Sequence, residues 1–500
     1  MKSVLAGVIV LLFLIPGAPA AADPLVQGLQ LLGQHHYEEA FQTLRAYLPA
    51  AEPRHQAKAQ LAYGMAGLAN ARCYAALYDV ARVLQLDYLT RLVETQQSSK
   101  SASRLAYLYL GKALLASGNP KAALSRLQRF LQGDGLVSAL QNEALVSIGA
   151  ASYLNGQKAR ARKIWSAVPE DSPEILAALA AAYSRVDLTG EQPQIMADRA
   201  LSQLKTSGQP PSTRLITSIL AVDVLHGEFE KGLALINRAN LGQFAHEEQL
   251  AQDKIIRFYD PLLLSHLSRL YALVAVASLT KAKAAPDRGV QSVAFYHLGE
   301  AYQLLGQPDA AASAGEAFLS MTKNSPELAQ FRQRVQARQV FASSGAGDQL
   351  GACQAFTPLL GAQPQPALLS EMLQLAGQFE ITCPRIIEPA ASLRQRTAGK
   401  AAGDLNYSLG RYYLGQKAYD RALAYLEAGR DKSRKNRIEA NPPMLLIGLA
   451  QAYYHTRQFS EALEIYFAMG RQFPALRQIQ MALQGVYAME QQSAGDAKIF

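Results

Sequence analysis

Apolar positions along this chain fall at intervals of three and four rather than two. The run from Leu105 to Leu115 sets Leu, Tyr and Ala side by side on the faces of a helix, and the same spacing returns in one stretch after another. Sustained alternation of Val, Ile and Thr is missing, and so are the evenly spaced turn signals of a sandwich or barrel. The pattern predicts an all-α protein.

A longer period overlies the helical one. Tyr107-Leu-Tyr-Leu-Gly111-Lys-Ala-Leu114 leads into Gly118-Asn-Pro-Lys-Ala-Ala123, and Phe295-Tyr-His-Leu-Gly299-Glu-Ala-Tyr302 leads into Gly306-Gln-Pro-Asp-Ala-Ala311. Leu409-Gly410-Arg-Tyr-Tyr413 is followed by Tyr419-Asp-Arg-Ala422, and Leu449-Ala450-Gln-Ala-Tyr453 by Phe459-Ser-Glu-Ala462. In each, a small residue precedes a second small residue by twelve positions. Two helices joined by a tight turn approach closely only where side chains are minimal. Gly111 is therefore expected to face the region of Ala123, and Gly299 that of Ala311, while Leu114, Tyr302, Tyr413 and Tyr453 fill the space between hairpins. Gly118 and Gly306 end first helices, and Pro120 and Pro308 open second ones. Weaker copies are Gly28 with Tyr37 and Ala40, Gly64 with Ala76, Gly149 with Gly156, Ala161 and Trp165, and Gly227-Glu-Phe229 with Gly232.

These residues resemble the tetratricopeptide repeat (TPR) family, whose signature is this spacing of large, small and aromatic positions. The resemblance implies an α-solenoid of antiparallel helix pairs, a TPR-like right-handed superhelix that binds protein partners in its groove. Ala123 to Ala161 is 38 residues and Ala422 to Ala462 is 40, against a usual period of ~34, so the hairpins here are longer or more widely linked. The expected division is residues 1–22 as a signal peptide, 23–342 as an N-terminal array, 343–400 as an irregular helical or hinge segment, and 401–500 as C-terminal repeats. Ser343–Gly347, Gln363–Pro366 and Thr397–Lys400 supply the loop compositions that set the third span apart.

The amino terminus carries an address. Lys2 precedes an apolar run from Val4 to Ile15, then Ala18-Pro19-Ala20 and Ala20-Ala21-Ala22, either of which suits a signal peptidase. About twelve apolar residues cannot cross a hydrocarbon core that needs ~20. The expected location is periplasmic or secreted, with no transmembrane segment in the mature chain and no later run long and uncharged enough to span.

The net charge is +9. Its local clusters, Lys158 to Lys163 and Lys432 to Arg437, fall near expected turns and read as solvated surface rather than as a nucleic-acid face. Of three cysteines, Cys353 and Cys383 lie at the spacing of equivalent points in neighbouring hairpins, which permits a disulfide, and Cys73 sits in an apolar helical run. Trp165 falls where a second helix buries a large residue.

Chemical motifs add little. His246-Glu247-Glu-Gln-Leu250 lacks the second His of a zinc-protease helix, and His35-His36 lies in a turn. Ser278-Leu-Thr-Lys281 and Ser320-Met-Thr-Lys323 match S-x-x-K without its companion motifs. Gly345-Ala-Gly347 with Gly351 follows a helix, not the strand a dinucleotide loop requires. The expectation is no enzyme, no metal and no cofactor. Envelope proteins resembling soluble lytic transglycosylases place a catalytic domain after such an array, and the residues beyond Phe473 are too few for one.

The leading reading is a non-catalytic protein-interaction scaffold of the cell envelope. The alternative is a glycan- or peptidoglycan-associated helical module of an envelope or polysaccharide export complex. With first helices lining the inner wall, the helical phase that leaves Leu409, Gly410 and Tyr413 to packing turns Tyr407 and Arg411 inward. The same phase presents Gln451 and Tyr454 in the next hairpin, and Tyr296, Glu300 and Gln303 in an earlier one. Tyrosine and arginine are residues that binding hot spots favour. This set lacks the Lys/Asn pattern by which some TPR domains clamp a terminal carboxylate, which points to an internal segment of the partner. The pattern does not bear on oligomeric state.

Overall fold

The computed structural model describes residues 23–94, 100–132, 138–185, 190–207, 212–238, 262–344, 349–360, 365–378, 380–430, 438, 441–470, 472–473 and 476–496. The signal sequence, the His246–Leu250 run, Gly345–Gly347 and the Lys432–Arg437 cluster lie outside them. Every regular element among the described residues is helical. The chain divides into two compact units, the first holding residues up to Cys73 together with Tyr271–Phe473, the second Tyr74–Leu270 together with the chain from Pro474.

Unit 1 begins with α1 (Pro24–Gly33) and α2 (Tyr37–Tyr47), followed by the long α3 (Pro53–Glu94), which it shares with unit 2. Gly64 and Ala76, expected on either side of a hairpin turn, both lie on α3. No glycine or proline falls between Gly67 and Ala76 to break a run of strong helix formers, so the helix continues. The first half of α3 instead finds its antiparallel mate far along the chain, in the second half of α12 (Leu262–Lys283). A methyl group on Gly64 would stand 2.7 Å from Leu279 Cγ and 3.3 Å from the Ala275 carbonyl, and one on Gly67 3.1 Å from the Tyr271 carbonyl. That arrangement has the form seen inside a local hairpin, although residues 74–270 separate its two strands of chain. Phe41 of α2 caps the pair, its ring centroid 4.6 Å from Tyr63 and 4.9 Å from Tyr271.

The unit continues through the pairs α13 (Arg288–Leu304) with α14 (Pro308–Met321), α15 (Ala329–Ser344) with α16 (Gln349–Leu360), and α17 (Pro366–Gln378) with α18 (Pro384–Arg396). It closes with α19 (Gly399–Gly415) and α20 (Tyr419–Gly429), then α21 (Pro443–His455) and α22 (Phe459–Met469). Residues 349–396, read from sequence as irregular, supply three helices. Phe356, Leu369, Met372 and Ile386 share one buried core with Leu405 and Leu409 of α19. Cys353 of α16 and Cys383, the residue before α18, are disulfide-bonded with their Cα atoms 5.5 Å apart, and Cys73 is a buried free thiol.

Unit 2 contains the second half of α3 and four consecutive pairs. These are α4 (Lys100–Ala116) with α5 (Pro120–Leu131), α6 (Ser138–Leu154) with α7 (Lys158–Ser166), α8 (Pro173–Ser184) with α9 (Gln192–Ser207), and α10 (Thr213–Leu225) with α11 (Phe229–Arg238). The first half of α12 and the terminal α23 (Arg477–Asp496) complete it. A methyl on Gly485 of α23 would meet the Tyr88 ring at 2.6 Å, and Arg91 Nη1 donates to Glu490 Oε1 at 2.5 Å. Trp165 is 1% exposed and its indole N–H donates to the Val146 carbonyl at 3.0 Å, a core role.

The hairpin turns share one backbone solution. Gly118 takes φ +76°, its N–H reaches the Leu115 carbonyl, and the Asn119 N–H reaches that of Leu114. This is the Schellman closure of a helix. It recurs with Gly156, Gly227 and Gly306, and with His35, Glu380, Lys417 and Arg457, four residues that carry a Cβ into the left-handed region. The small positions act as expected with one refinement. The Ala twelve residues on opens access to its own carbonyl, while the residue sixteen on covers the glycine. Gly111 would meet Leu127 Cγ at 2.6 Å and Ala123 O at 3.3 Å.

One sequence expectation is corrected. Helix α12 is long and apolar enough by composition to cross a membrane. It is largely buried, with Leu263, Leu264, Leu267, Leu270, Ala272, Val274 and Leu279 at or below 1% exposure, so its apolar character is spent on packing against other helices.

Candidate functional site

First helices of unit 1 bring charged side chains from distant segments onto one line. Glu300 of α13 is 3% exposed at its side chain and accepts at both oxygens, from Arg72 Nη2 of α3 at 2.6 Å and from Arg338 Nη2 of α15 at 2.5 Å. His297 Nδ1 stands 3.0 Å from the Arg72-bound oxygen. Arg338 continues the line, donating through Nε to Glu371 of α17 at 2.8 Å and through Nη2 to the Tyr296 hydroxyl at 2.9 Å, with its guanidinium 4.7 Å from the centre of that ring. Arg334, one turn back on α15, lies 5.4 Å from the Phe331 ring with a buried Nε that has no hydrogen-bond partner.

Burial alone would raise the Glu300 carboxyl, but Arg338, Arg72 and the His297 hydrogen bond hold it well below its ordinary value. Glu371 is likewise lowered against burial by Arg338 and Arg334. Both acids are therefore ionised, and three guanidinium groups face two carboxylates. The line opens to solvent at Arg72, whose side chain is 32% exposed, while the third guanidinium, Arg334, is buried.

On the other side of Arg72 lies Tyr407 of α19. Burial raises the Tyr407 phenol, while Arg411, Cys73 and Arg72 all act on it electrostatically, which places α3 and α19 at one locus. Burial likewise pushes the neighbouring Cys73 thiol up to about 12, which leaves it unreactive at neutral pH.

The residues read from sequence as a groove thus separate into layers. Tyr296 and Glu300 are 3% and 4% exposed and belong to the buried ladder, so their polar atoms are spent on Arg338 and Arg72. Tyr407, Arg411 and Gln451 are half-buried and Gln303 is exposed. Tyr454 is 8% exposed, its ring packed 5.8 Å from Phe459. Sequence reasoning missed Arg72, Arg338 and Glu371. For Arg72 a signal existed: it is the only charged residue between Lys58 and Asp79. A lone charge inside an apolar helix needs a buried partner.

Ser184 Oγ lies 3.3 Å from His226 Nε2, and Asp223 is three residues before that histidine. Asp223 makes no hydrogen bond to His226, and Ser184 is fully buried, so base and nucleophile are neither oriented nor accessible. Ser278 is buried in α12 and Ser320 is exposed at the end of α14, each beside an exposed lysine and without a second base. Among the described residues no three His, Cys, Asp or Glu side chains gather as metal ligands would.

No family model and no curated protein matches the sequence. Among solved structures the chain is similar to yeast Tom70, at 13% identity over 93% of this chain and 95% of that one, with a TM-score of 0.31. It is also similar to the TPR domain of P58(IPK), at 14% identity over 71% and 98% with a TM-score of 0.17. A third is the maize pentatricopeptide repeat protein PPR10, at 16% identity over 97% and 72% with a TM-score of 0.24. At these scores no residue correspondence is drawn from them. The hairpins themselves, with their Schellman turns and small-residue contacts, define a TPR-like α-solenoid of antiparallel helix pairs.

Proposed function

We propose that this protein is an exported, non-catalytic scaffold of the cell envelope that holds an internal, acidic segment of a partner protein along the first helices of unit 1. The observation that carries this reading is the charge ladder through Arg72, Glu300, Arg338 and Glu371. With buried Arg334 and half-buried Arg411 beside it, the locus carries four guanidinium groups against two carboxylates, and its solvent-open end, Arg72, adjoins half-buried Tyr407. A ladder locked by hydrogen bonds holds its surface members in place, which lowers the ordering cost of binding. Tyr and Arg then supply contact area and directional hydrogen bonds. Export rests on residues 1–22 and envelope residence on that export.

The glycan reading would be favoured by exposed aromatic rings beside acids. The Tyr–Glu pairs present, Tyr271 with Glu38 and Tyr453 with Glu427, are helix-to-helix bonds whose tyrosines are 3% and 9% exposed.

Recovery of partners from native envelope on the wild-type chain and on Arg411→Glu combined with Tyr407→Ala tests the site. The double variant is expected to lose its specific partner while helicity and melting stay unchanged, and full-strength capture by it would remove α19 from the binding surface. Amino-terminal sequencing of protein from the envelope fraction should begin at Ala21 or Asp23. An intact Met1 would end the export reading.

A further inference from the structure

The positive charge of this chain is concentrated in one stretch. Between Lys100 and Ser166 the sequence carries ten Lys and Arg against two acids, nearly the whole net charge of +9. One of those acids, Glu143, is buried and taken by Lys112 Nζ at 2.6 Å and Arg214 Nη1 at 2.8 Å, and the other, Asp134, lies outside the described residues.

The second helices of two consecutive hairpins, α5 and α7, contain no acidic residue. Their inner faces bury Ala123, Leu127 and Phe130, and Ala161 and Trp165. Their outer faces expose Lys121 and Arg129, and Lys158, Arg160, Arg162 and Lys163, none of which makes an ion pair with another described residue. Both helices pack on α6, whose last residue, Leu154, is 56% exposed and is the most exposed large apolar side chain among the described residues. The first acids beyond α7 are Glu170 and Asp171, and Glu170 is engaged by Arg199 at 3.0 Å.

We propose that the α5–α7 face docks on an anionic lipid bilayer. A flat field of headgroups suits cations spread over two outer helices, each adding about 1 kcal/mol of attraction near such a surface. Leu154 beside them provides the apolar point that interfacial binding uses. A nucleic-acid strand would ask for a groove with free aromatic faces. The rings nearest the patch, Tyr107 and Tyr153, are instead covered by its own cations, Arg129 at 5.0 Å and Lys158 at 5.7 Å. The face belongs to unit 2 and the candidate partner site to unit 1, so either proposal can fail without the other.

The test is co-sedimentation of the mature full-length chain with large vesicles. One set is phosphatidylcholine alone, and the other contains about 30% phosphatidylglycerol, each at about 50 and about 300 mM salt, where the screening length shortens roughly twofold. Binding is expected only to the anionic vesicles and to weaken at least tenfold at the higher salt. Lys158→Glu with Arg162→Glu should weaken it tenfold or more. Arg288→Glu with Lys323→Glu, an equal change of charge at exposed positions of unit 1, should weaken it less than threefold. Far-ultraviolet dichroism for both pairs, with Trp165 fluorescence for the unit 2 pair, confirms that each variant is folded. Equal loss in both pairs, binding to neutral vesicles, or tighter binding to a single-stranded oligonucleotide than to anionic vesicles would overturn the proposal.

Discussion

Each unit buries one glutamate between two cations contributed by other first helices, and the two sites differ in what lies beyond the pair. In unit 2, Glu143 sits between Lys112 and Arg214, whose side chains are 21% and 20% exposed, and Arg214 also reaches the Tyr109 hydroxyl at 3.3 Å. In unit 1, Glu300 sits between Arg72 and Arg338, and Arg338, 8% exposed, must then be neutralised by Glu371 as well. Both carboxyls are lowered, against burial, by their flanking cations. The difference teaches where a buried charge becomes binding to its neighbours. A cation that keeps a fifth of its surface in water can be rehydrated when its partner is lost, and one sealed in the core cannot.

The comparison can be broken most directly by removing the acids. Glu300→Gln should cost about 3–5 kcal/mol, because Arg338 is left buried with less than its full complement of negative charge. Glu143→Gln should cost about 1–3 kcal/mol, since Lys112 and Arg214 can turn toward solvent. Trp165 is the sole tryptophan and lies in unit 2, so fluorescence reports that unit while far-ultraviolet dichroism reports both. Glu300→Gln is expected to move the dichroism transition alone, and Glu143→Gln both the dichroism and the fluorescence transitions. A larger effect from Glu143→Gln would reject the account.

A second difference concerns helix contact. Gly111→Ala would set a methyl 2.6 Å from Leu127 Cγ, whereas Gly299→Ala would meet only the Ala311 carbonyl, at 3.5 Å. The reason is that the residue sixteen beyond Gly299 is Gly315, which leaves nothing to collide with. Chemical denaturation should show Gly111→Ala losing about 1–3 kcal/mol. Gly299→Ala should be neutral or gain up to about 1 kcal/mol from helix propensity.

Buried acids of the chain also respond oppositely to pH, with both kinds present in unit 2. Glu300, Glu371 and Glu143 titrate below their ordinary value of 4.5 in the folded chain, so the stability they contribute is present above that value and is lost as pH falls through the folded ones. Asp223 of unit 2 is pushed from 3.8 up to about 7 by burial, with Lys231 opposing and Asp198 and Glu228 adding. Its contribution is full below about pH 4 and is lost as pH climbs through 7. Asp223→Asn should therefore stabilise unit 2 by about 1–2 kcal/mol near pH 8 and change little near pH 4, read by Trp165 fluorescence. A gain that is the same at both pH values would show that packing, not ionisation, is responsible.

The smallest expected effect lies in the turns. Described hairpin turns of unit 2 place glycine in the left-handed position, at Gly118, Gly156 and Gly227, whereas unit 1 does so only at Gly306 and uses His35, Glu380, Lys417 and Arg457 elsewhere. Lys417→Gly should stabilise by about 0.5 kcal/mol, the relief of the side-chain clash less the added freedom of the unfolded chain. Gly118→Ala, which carries the same clash the other way, should lose about 1 kcal/mol.

Features set by neighbours within about twenty residues were for the most part legible along the chain, the hairpin expected between Gly64 and Ala76 being the exception. The four clearest hairpins, the turns at Gly118 and Gly306, and the burial of Trp165 were all legible, because a helix, its cap and the small residue twelve positions on are read along one short length of chain. The pairing of α3 with α12 was decided only by the tertiary structure. Gly64 and Gly67 announce that some helix must come close, but Ala275 and Leu279 lie more than two hundred residues away, and many apolar helices offer the same small–large spacing. Half of the candidate site was hidden for the same reason. Tyr407 and Arg411 follow from helical phase, whereas Arg72 and Glu371 could be recognised only as lone charges in apolar helices, and Arg338, on a helix with Arg332 and Arg334, carried no such signal. Which acid neutralises which guanidinium depends on where four separate helices meet, and helix propensity carries no information about that. Helical phase was also silent on depth: it turned Tyr296 and Glu300 toward the same side as Arg411, and only the packing of α15 and α17 over them made those two core residues and left Arg411 at the surface.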